Sequence, residues 1–365
     1  MTTTQTRPPR PSRARAAPPR EWIAARYMID AAACGDPTCP LHHPAVPGPR
    51  PDARVLVRVG DRMELTGSLA CTELARRCLQ DPEALTLESC EPMVGRGLVP
   101  RRTLPVNSIA PWERYCDDIR AAMLTLLART DHPLATRLFC LATFAERTRP
   151  FYYRGVEVFD EASLAAEVAL IEDPEELAEL ARGFEAMTLP GAVSLRAVAE
   201  VLNNRARFST VPAFRELIQQ IFSGFATATA DGPEATEAAV IAAWAERRLA
   251  WESSHGAALD QAFSRYAELY WLRDLYCDAP DLLVYSQNLC LRLAVLRFLL
   301  FFHPALAIDP VAPTAGGRLA ETLVEVIALH AAAVEDDPVF LRECEAALAR
   351  AGVHTLGHTV LLLGC

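Results

Sequence analysis

The stretch Phe214-Arg215-Glu216-Leu217-Ile218-Gln219-Gln220-Ile221-Phe222-Ser223-Gly224-Phe225 carries apolar side chains at i, i+3, i+4, i+7, i+8 and i+11 counted from Phe214. On a helix that spacing draws one continuous stripe, and a stripe of that width has to face a core. The rest of the chain after Pro111 reads the same way. The spacing predicts helices near 112–129, 134–147, 161–182, 195–207, 212–227, 234–251, 257–277, 282–302, 318–334 and 338–350. Their punctuation is helical too. Asp173-Pro174 and Asp337-Pro338 each offer an Asp N-cap followed by Pro at the first helical position, and Asp81-Pro82 does so earlier in the chain. Gly232-Pro233, Ser253-Ser254, His303-Pro304 and Gly316-Gly317 separate further helices. Residues 282–302 are apolar on most faces apart from Gln287, Asn288, Arg292 and Arg297, which marks the central buried helix. No fixed-period repeat is visible, so a regular solenoid is not expected.

The first 110 residues have a different character. Residues 1–20 hold Arg7, Arg10, Arg13, Arg15 and Arg20 among prolines, with no acid, and read as a disordered extended tail of charge +5. Glu21 to Ala33, with Trp22, Ile23, Tyr27, Met28 and Ile29, reads as a short helix, and Cys34 to Pro44 as a proline-stiffened turn. Val55-Leu56-Val57-Arg58-Val59 and Arg62-Met63-Glu64-Leu65 alternate around Gly60-Asp61, the pattern of a β-hairpin. Residues 68–80 return to helical spacing, and 91–110 are loop-like. The fold class expected is therefore mainly α: a tail over 1–20, a small Cys/His-containing α+β module over 21–110 and an all-α domain over 111–365.

Length and composition exclude much chemistry. The chain has 365 residues, a net charge of -10 and 51% hydrophobic residues, and all 36 of its basic residues are Arg. Without Lys, a phosphate-binding G-x-x-x-x-G-K-[ST] loop, the protein-kinase strand Lys, Schiff-base and pyridoxal-phosphate chemistry and the S-x-x-K acyl enzymes are all ruled out. No side chain can accept ubiquitin or an acetyl group either. Codon bias accounts for the absence, since Ala, Arg, Pro, Leu and Gly crowd the sequence; selection against ubiquitin attachment is the sharper alternative. Removing the tail's charge leaves about -15 on the body, unlike a nucleic-acid platform. Eleven Cys with no secretory leader before them point to free thiols in a reducing, intracellular compartment, cytoplasm or nucleus. The strongest apolar run, Phe298 to Phe302, is far too short for a membrane span.

The sharpest candidate site is Cys34-x4-Cys39-x2-His42 or His43, two thiolates and an imidazole on one tight loop, as a tetrahedral structural zinc uses. Cys71 and Cys78, seven residues apart on one predicted helix face, and Cys90 are candidates for the fourth ligand; free Cys as small apolar residues is the competing reading. His354-x3-His358 resembles H-E-x-x-H only in its ends, because Thr355 stands where the base would be. His132, His255, His303 and His330 read as helix-end or core residues. Asp117-Asp118 and Asp274-x3-Asp278-x2-Asp281 do not complete a magnesium-diphosphate motif, and no G-x-S-x-G elbow is present. Arg101-Arg102, Arg205 with Arg207, and Arg247-Arg248 are candidate phosphate grips.

The Arg/Pro tail, the Cys/His-bearing module and the long helical domain in a GC-biased, Cys-rich chain resemble the regulatory and tegument proteins of GC-rich herpesviruses. That resemblance implies a non-enzymatic viral regulator, found in the cell and in the virion, that docks viral or host proteins through its helical domain. Two other readings remain. One is a metal-dependent all-α enzyme acting on a phosphorylated substrate. The other is a zinc-containing regulator that contacts nucleic acid, or an import receptor, through Arg7, Arg10, Arg13 and Arg15.

Overall fold

The computed structural model describes residues 21–25, 54–59, 62–81, 84–85, 87–90, 102–104, 115–154, 160–189, 191–226, 233–273, 279–350 and 352–364. Among them a large helical domain dominates. Its helices are α1 (Thr72–Gln80), α2 (Cys116–Leu127), α3 (Leu134–Arg154), α4 (Glu161–Glu172), α5 (Pro174–Glu185), α6 (Gly191–Phe208), α7 (Pro212–Ala226), α8 (Pro233–Arg273), α9 (Leu282–Phe301), α10 (Ala315–His330), α11 (Pro338–Arg350) and α12 (Leu356–Leu362). A π-helical turn, Ala331–Glu335, continues α10.

Helix α9 is the axis of the core. It packs against α3, α6, α8, α10 and α12, and nearly all its side chains are buried. By length and composition α9 is apolar enough to cross a membrane, but 83% of its apolar window lies inside the protein, as in a core helix. Asp281 starts it, accepting from the Val284 amide at 2.8 Å while ion-paired with Arg149 at 3.1 Å. Asp173 and Asp337 cap α5 and α11 in the same way, accepting from the amides of Glu175 at 2.8 Å and Phe340 at 3.0 Å.

Several boundaries differ from the sequence expectation, each for a local reason. The single helix expected over 161–182 is two, because Asp173 ends α4 and caps α5. The two expected over 234–251 and 257–277 are one, α8, kinked at His255 (φ -135°, ψ 19°). His255 Nε2 lies 2.8 Å from the Pro310 carbonyl oxygen, a tertiary contact at the kink, and its ring centroid is 5.4 Å from that of Trp251 one turn earlier in the same helix. In α7 Phe214, Leu217, Ile218 and Ile221 are buried, whereas Phe222 is 37% exposed, so the buried stripe is narrower than its sequence period. Helix α12 was not expected; Thr355 caps it, accepting from the His358 amide at 3.3 Å.

Five strands form a sheet: β1 (Glu21–Ala25), β2 (Arg54–Val59), β3 (Arg62–Gly67), β4 (Leu87–Cys90) and β5 (Arg102–Leu104), in the order β4-β1-β3-β2-β5. Strands β2 and β3 pair antiparallel around Gly60 and Asp61, with Val59 opposite Arg62. The helix expected from Glu21 begins instead as β1, which pairs parallel with β3 and antiparallel with β4. A short run with Trp22 and Ile23 suits either element by periodicity, and pairing on both edges decides for the strand. In the loop-like 91–110, β5 pairs parallel with β2. Helix α1 packs on α8 and α10 and shares their core, fixed by Arg265 Nε donating to the Cys78 carbonyl at 2.7 Å. The tail, including Arg7, Arg10, Arg13 and Arg15, and the loop bearing Cys34, Cys39, His42 and His43 lie outside the described residues.

Candidate functional site

The most unusual chemistry among the described residues is a charged cluster inside the core. Helix α10 runs on into the π-helical turn, so His330 and Glu335, five residues apart, face each other. His330 Nδ1 lies 3.1 Å from Glu335 Oε1, the Arg273 guanidinium lies 2.5 Å from Glu335 Oε2, and the Tyr266 hydroxyl donates to Oε1. Burial opposes the charge on Glu335, but Arg273 and the His330 hydrogen bond hold its carboxyl well below the usual carboxylate range. Burial pushes the His330 imidazole down, against the pull of Glu335. With Nδ1–H turned to the carboxylate, a neutral ring would present its Nε2 lone pair. Nε2 has no hydrogen-bond partner among the described residues.

His330 lines a chamber of about 30 Å³ together with Asn288, Arg292, Val201, Leu291, Phe340 and Cys344. Val201, Leu291, Phe340 and Cys344 are also walls of a much larger groove of about 520 Å³, open to the surface between α6, α9, α11 and α12. Along α6 the groove takes Val193, Ala197, Glu200, Val201 and Asn204, and along α11 Phe340, Glu343, Cys344, Ala347 and Leu348, each set on one helix face. Its lining is mainly apolar. Behind its Phe340 wall, Arg205, buried on α6, pairs with Asp337 at 3.0 Å and lies 4.3 Å from the Phe340 ring centroid. Within the lining, Gln287 Nε2 donates to the Val353 carbonyl at 2.9 Å, and its Oε1 lies 2.7 Å from His354 Nδ1.

A second cavity of about 350 Å³ lies at the kink of α8. Its charged groups are already committed. Asp260 pairs with Arg137 at 2.6 Å and accepts from the Leu134 amide at 2.7 Å, and Glu252 pairs with Arg248 and Arg297. Such groups brace α8 against α3 and α9.

The candidates named from sequence separate as follows. Cys71 and Cys78 are both buried in the core, Cys71 at the N-cap of α1, and burial pushes the Cys78 thiol far up. Among the described residues no group of three His, Cys, Asp or Glu is placed to hold a metal. Burial also raises Cys140 to about 11, Cys290 to about 12 and Cys344 to about 11, so these thiols stay protonated. His354 precedes the α12 cap and His358 pairs with Thr355 Oγ1 at 2.7 Å, so the two do not share a helix face. Asp117 pairs with Arg120 at 2.8 Å, Asp281 is a cap, and Asp274 and Asp278 lie outside the described residues. Arg205 and Arg247 brace the core; Arg247 Nη1 donates to the Phe301 carbonyl at 3.2 Å. His330 is the helix-end core residue expected from the sequence, but its pairing with Glu335 was not legible there, because a spacing of five residues lies off the α-helical face and only a π turn closes it.

Residues 120–362 match the family model described as FliB lysine N-methylase C-terminal domain, from within α2 to the last residue of α12. No curated protein and no solved structure matches the chain. The family match overturns the herpesviral resemblance. With it fall the non-enzymatic viral regulator, the tegument and host-virus roles and the virion location, which rested on composition and a tail that many chains share.

Proposed function

Since this chain belongs to the FliB lysine N-methylase C-terminal domain family, we propose that it takes part in N-methylation of lysine side chains on other proteins. The observation that carries this reading is the match over about two thirds of the chain, which spans nearly the whole helical domain. The composition gives the reading a direction. With no Lys of its own, the chain offers no ε-amine to the reaction, so the acceptor is supplied by another molecule. In the transfer, the lone pair of a neutral amine attacks the methyl carbon of a methyl donor. A nitrogen–carbon bond forms, the bond from that carbon to the donor breaks, and the ammonium proton is lost to solvent or a base.

The test is methyl transfer by the purified chain from labelled S-adenosylmethionine to a lysine-containing protein. Label on acceptor lysines supports the reading; label nowhere on lysine refutes it.

A structural zinc at Cys34, Cys39 and His42 or His43 is a separate proposal, supported by the ligand spacing alone. Elemental analysis is expected to find one equivalent of zinc in the wild type and none after Cys34→Ser or Cys39→Ser. A metal-free wild type would end it.

A further inference from the structure

We propose that the groove between α6, α9, α11 and α12 is the docking surface for a lysine-bearing peptide segment of the substrate protein; this rests on the reading of the chain as a lysine-methylation protein. A Lys side chain is an aliphatic stem with a charged end, and it binds best where apolar surface runs up to a carboxylate. The groove has that form. Val201, Leu291 and Leu348 line its middle, and Glu200 on α6 and Glu343 on α11 stand exposed at its sides. Neither carboxylate has an ion-pair partner among the described residues, whereas those of the cavity at the α8 kink are taken up by arginines. The charge complementarity therefore belongs to the groove, in a chain whose net charge is -10.

A second observation points to the same walls. His330 lines the small chamber that shares Val201, Leu291 and Phe340 with the groove, and its buried Nε2 has no hydrogen-bond partner among the described residues.

The experiment measures binding of an acetylated, amidated Leu-Ala-Lys-Ala-Leu peptide and of its norleucine analogue, which keeps the whole carbon stem and loses only the amine. The proteins are the full chain, the Glu200→Gln/Glu343→Gln variant and a Glu179→Gln control on α5. At low salt the double variant is expected to bind the Lys peptide about fivefold more weakly, the sum of two exposed charge pairs. The control keeps wild-type affinity, and the norleucine analogue binds wild type and double variant alike. Equal affinity of wild type and double variant for the Lys peptide, or no binding by the wild type, overturns the proposal. Methyl transfer measured on the same proteins separates the two claims. Transfer that persists with an unchanged KM in the double variant refutes the groove alone, while absence of any transfer by the wild type refutes the function on which it rests.

Discussion

Replacing Glu335 by Ala is expected to cost about 3–5 kcal/mol of stability, the loss typical when one partner of a buried ion pair is removed. Arg273, His330 and Tyr266 all turn toward this carboxylate, and all are buried. Without it the Arg273 guanidinium remains in the core beside Arg292 with no counter-charge from Glu335, and the Tyr266 hydroxyl loses its acceptor. Substituting Gln restores an acceptor but not the charge, and its cost falls between wild type and Ala. Urea unfolding followed by circular dichroism measures both. A loss below about 1 kcal/mol for Glu335→Ala would show that water reaches the cluster, as for an exposed pair.

Phe214→Ala is expected to cost a similar amount, about 3–5 kcal/mol, because the ring is fully buried and its removal leaves a cavity. Phe222→Ala, eight residues along the same stripe, should cost less than about 1 kcal/mol, since its side chain already meets solvent. The pair separates two accounts of α7. If periodicity alone determined burial, the two losses would match; if the neighbouring helices set the width of the buried face, they differ several-fold. Equal losses in urea unfolding would contradict the packing described here.

These two sites also show how far the sequence could be read. Apolar spacing was enough to find the helical domain and to pick 282–302 as its central helix, and the Asp-Pro pairs placed the caps at Asp173 and Asp337, because each is written in local pattern; Asp81, expected to start a helix, ends α1 instead. The kinked α8 was not legible, since Ser253-Ser254 resembles a break and the contact of His255 with Pro310 lies 55 residues away in sequence. Strand β1 was lost for the same reason, its pairing partners lying about 40 and 65 residues further on. At the candidate site, Glu200 and Glu343 look like any exposed helix acids, and nothing in their local sequence shows that α6 and α11 flank one groove. His330 and Glu335 meet through a π turn, which no helical period announces. The Cys/His loop lies outside the described residues, and a spacing that fits zinc carries no information about the activity of the helical domain.

The missing lysine is the point at which composition and family membership meet. Taken alone, it excluded mechanisms that need a side-chain amine within the protein. Under the proposed function in lysine N-methylation, it would mean that the chain presents no lysine of its own to compete with the substrate.

The most direct test of the central claim is peptide mapping by mass spectrometry after incubation of the purified full chain with methyl-labelled S-adenosylmethionine and a lysine-containing acceptor protein. The account predicts label on lysine ε-amines of the acceptor, none on any side chain of this chain, and none on an acceptor whose lysines have all been replaced by arginine. An acceptor that stays unlabelled at lysine, or label that persists on the arginine-substituted acceptor, would contradict it.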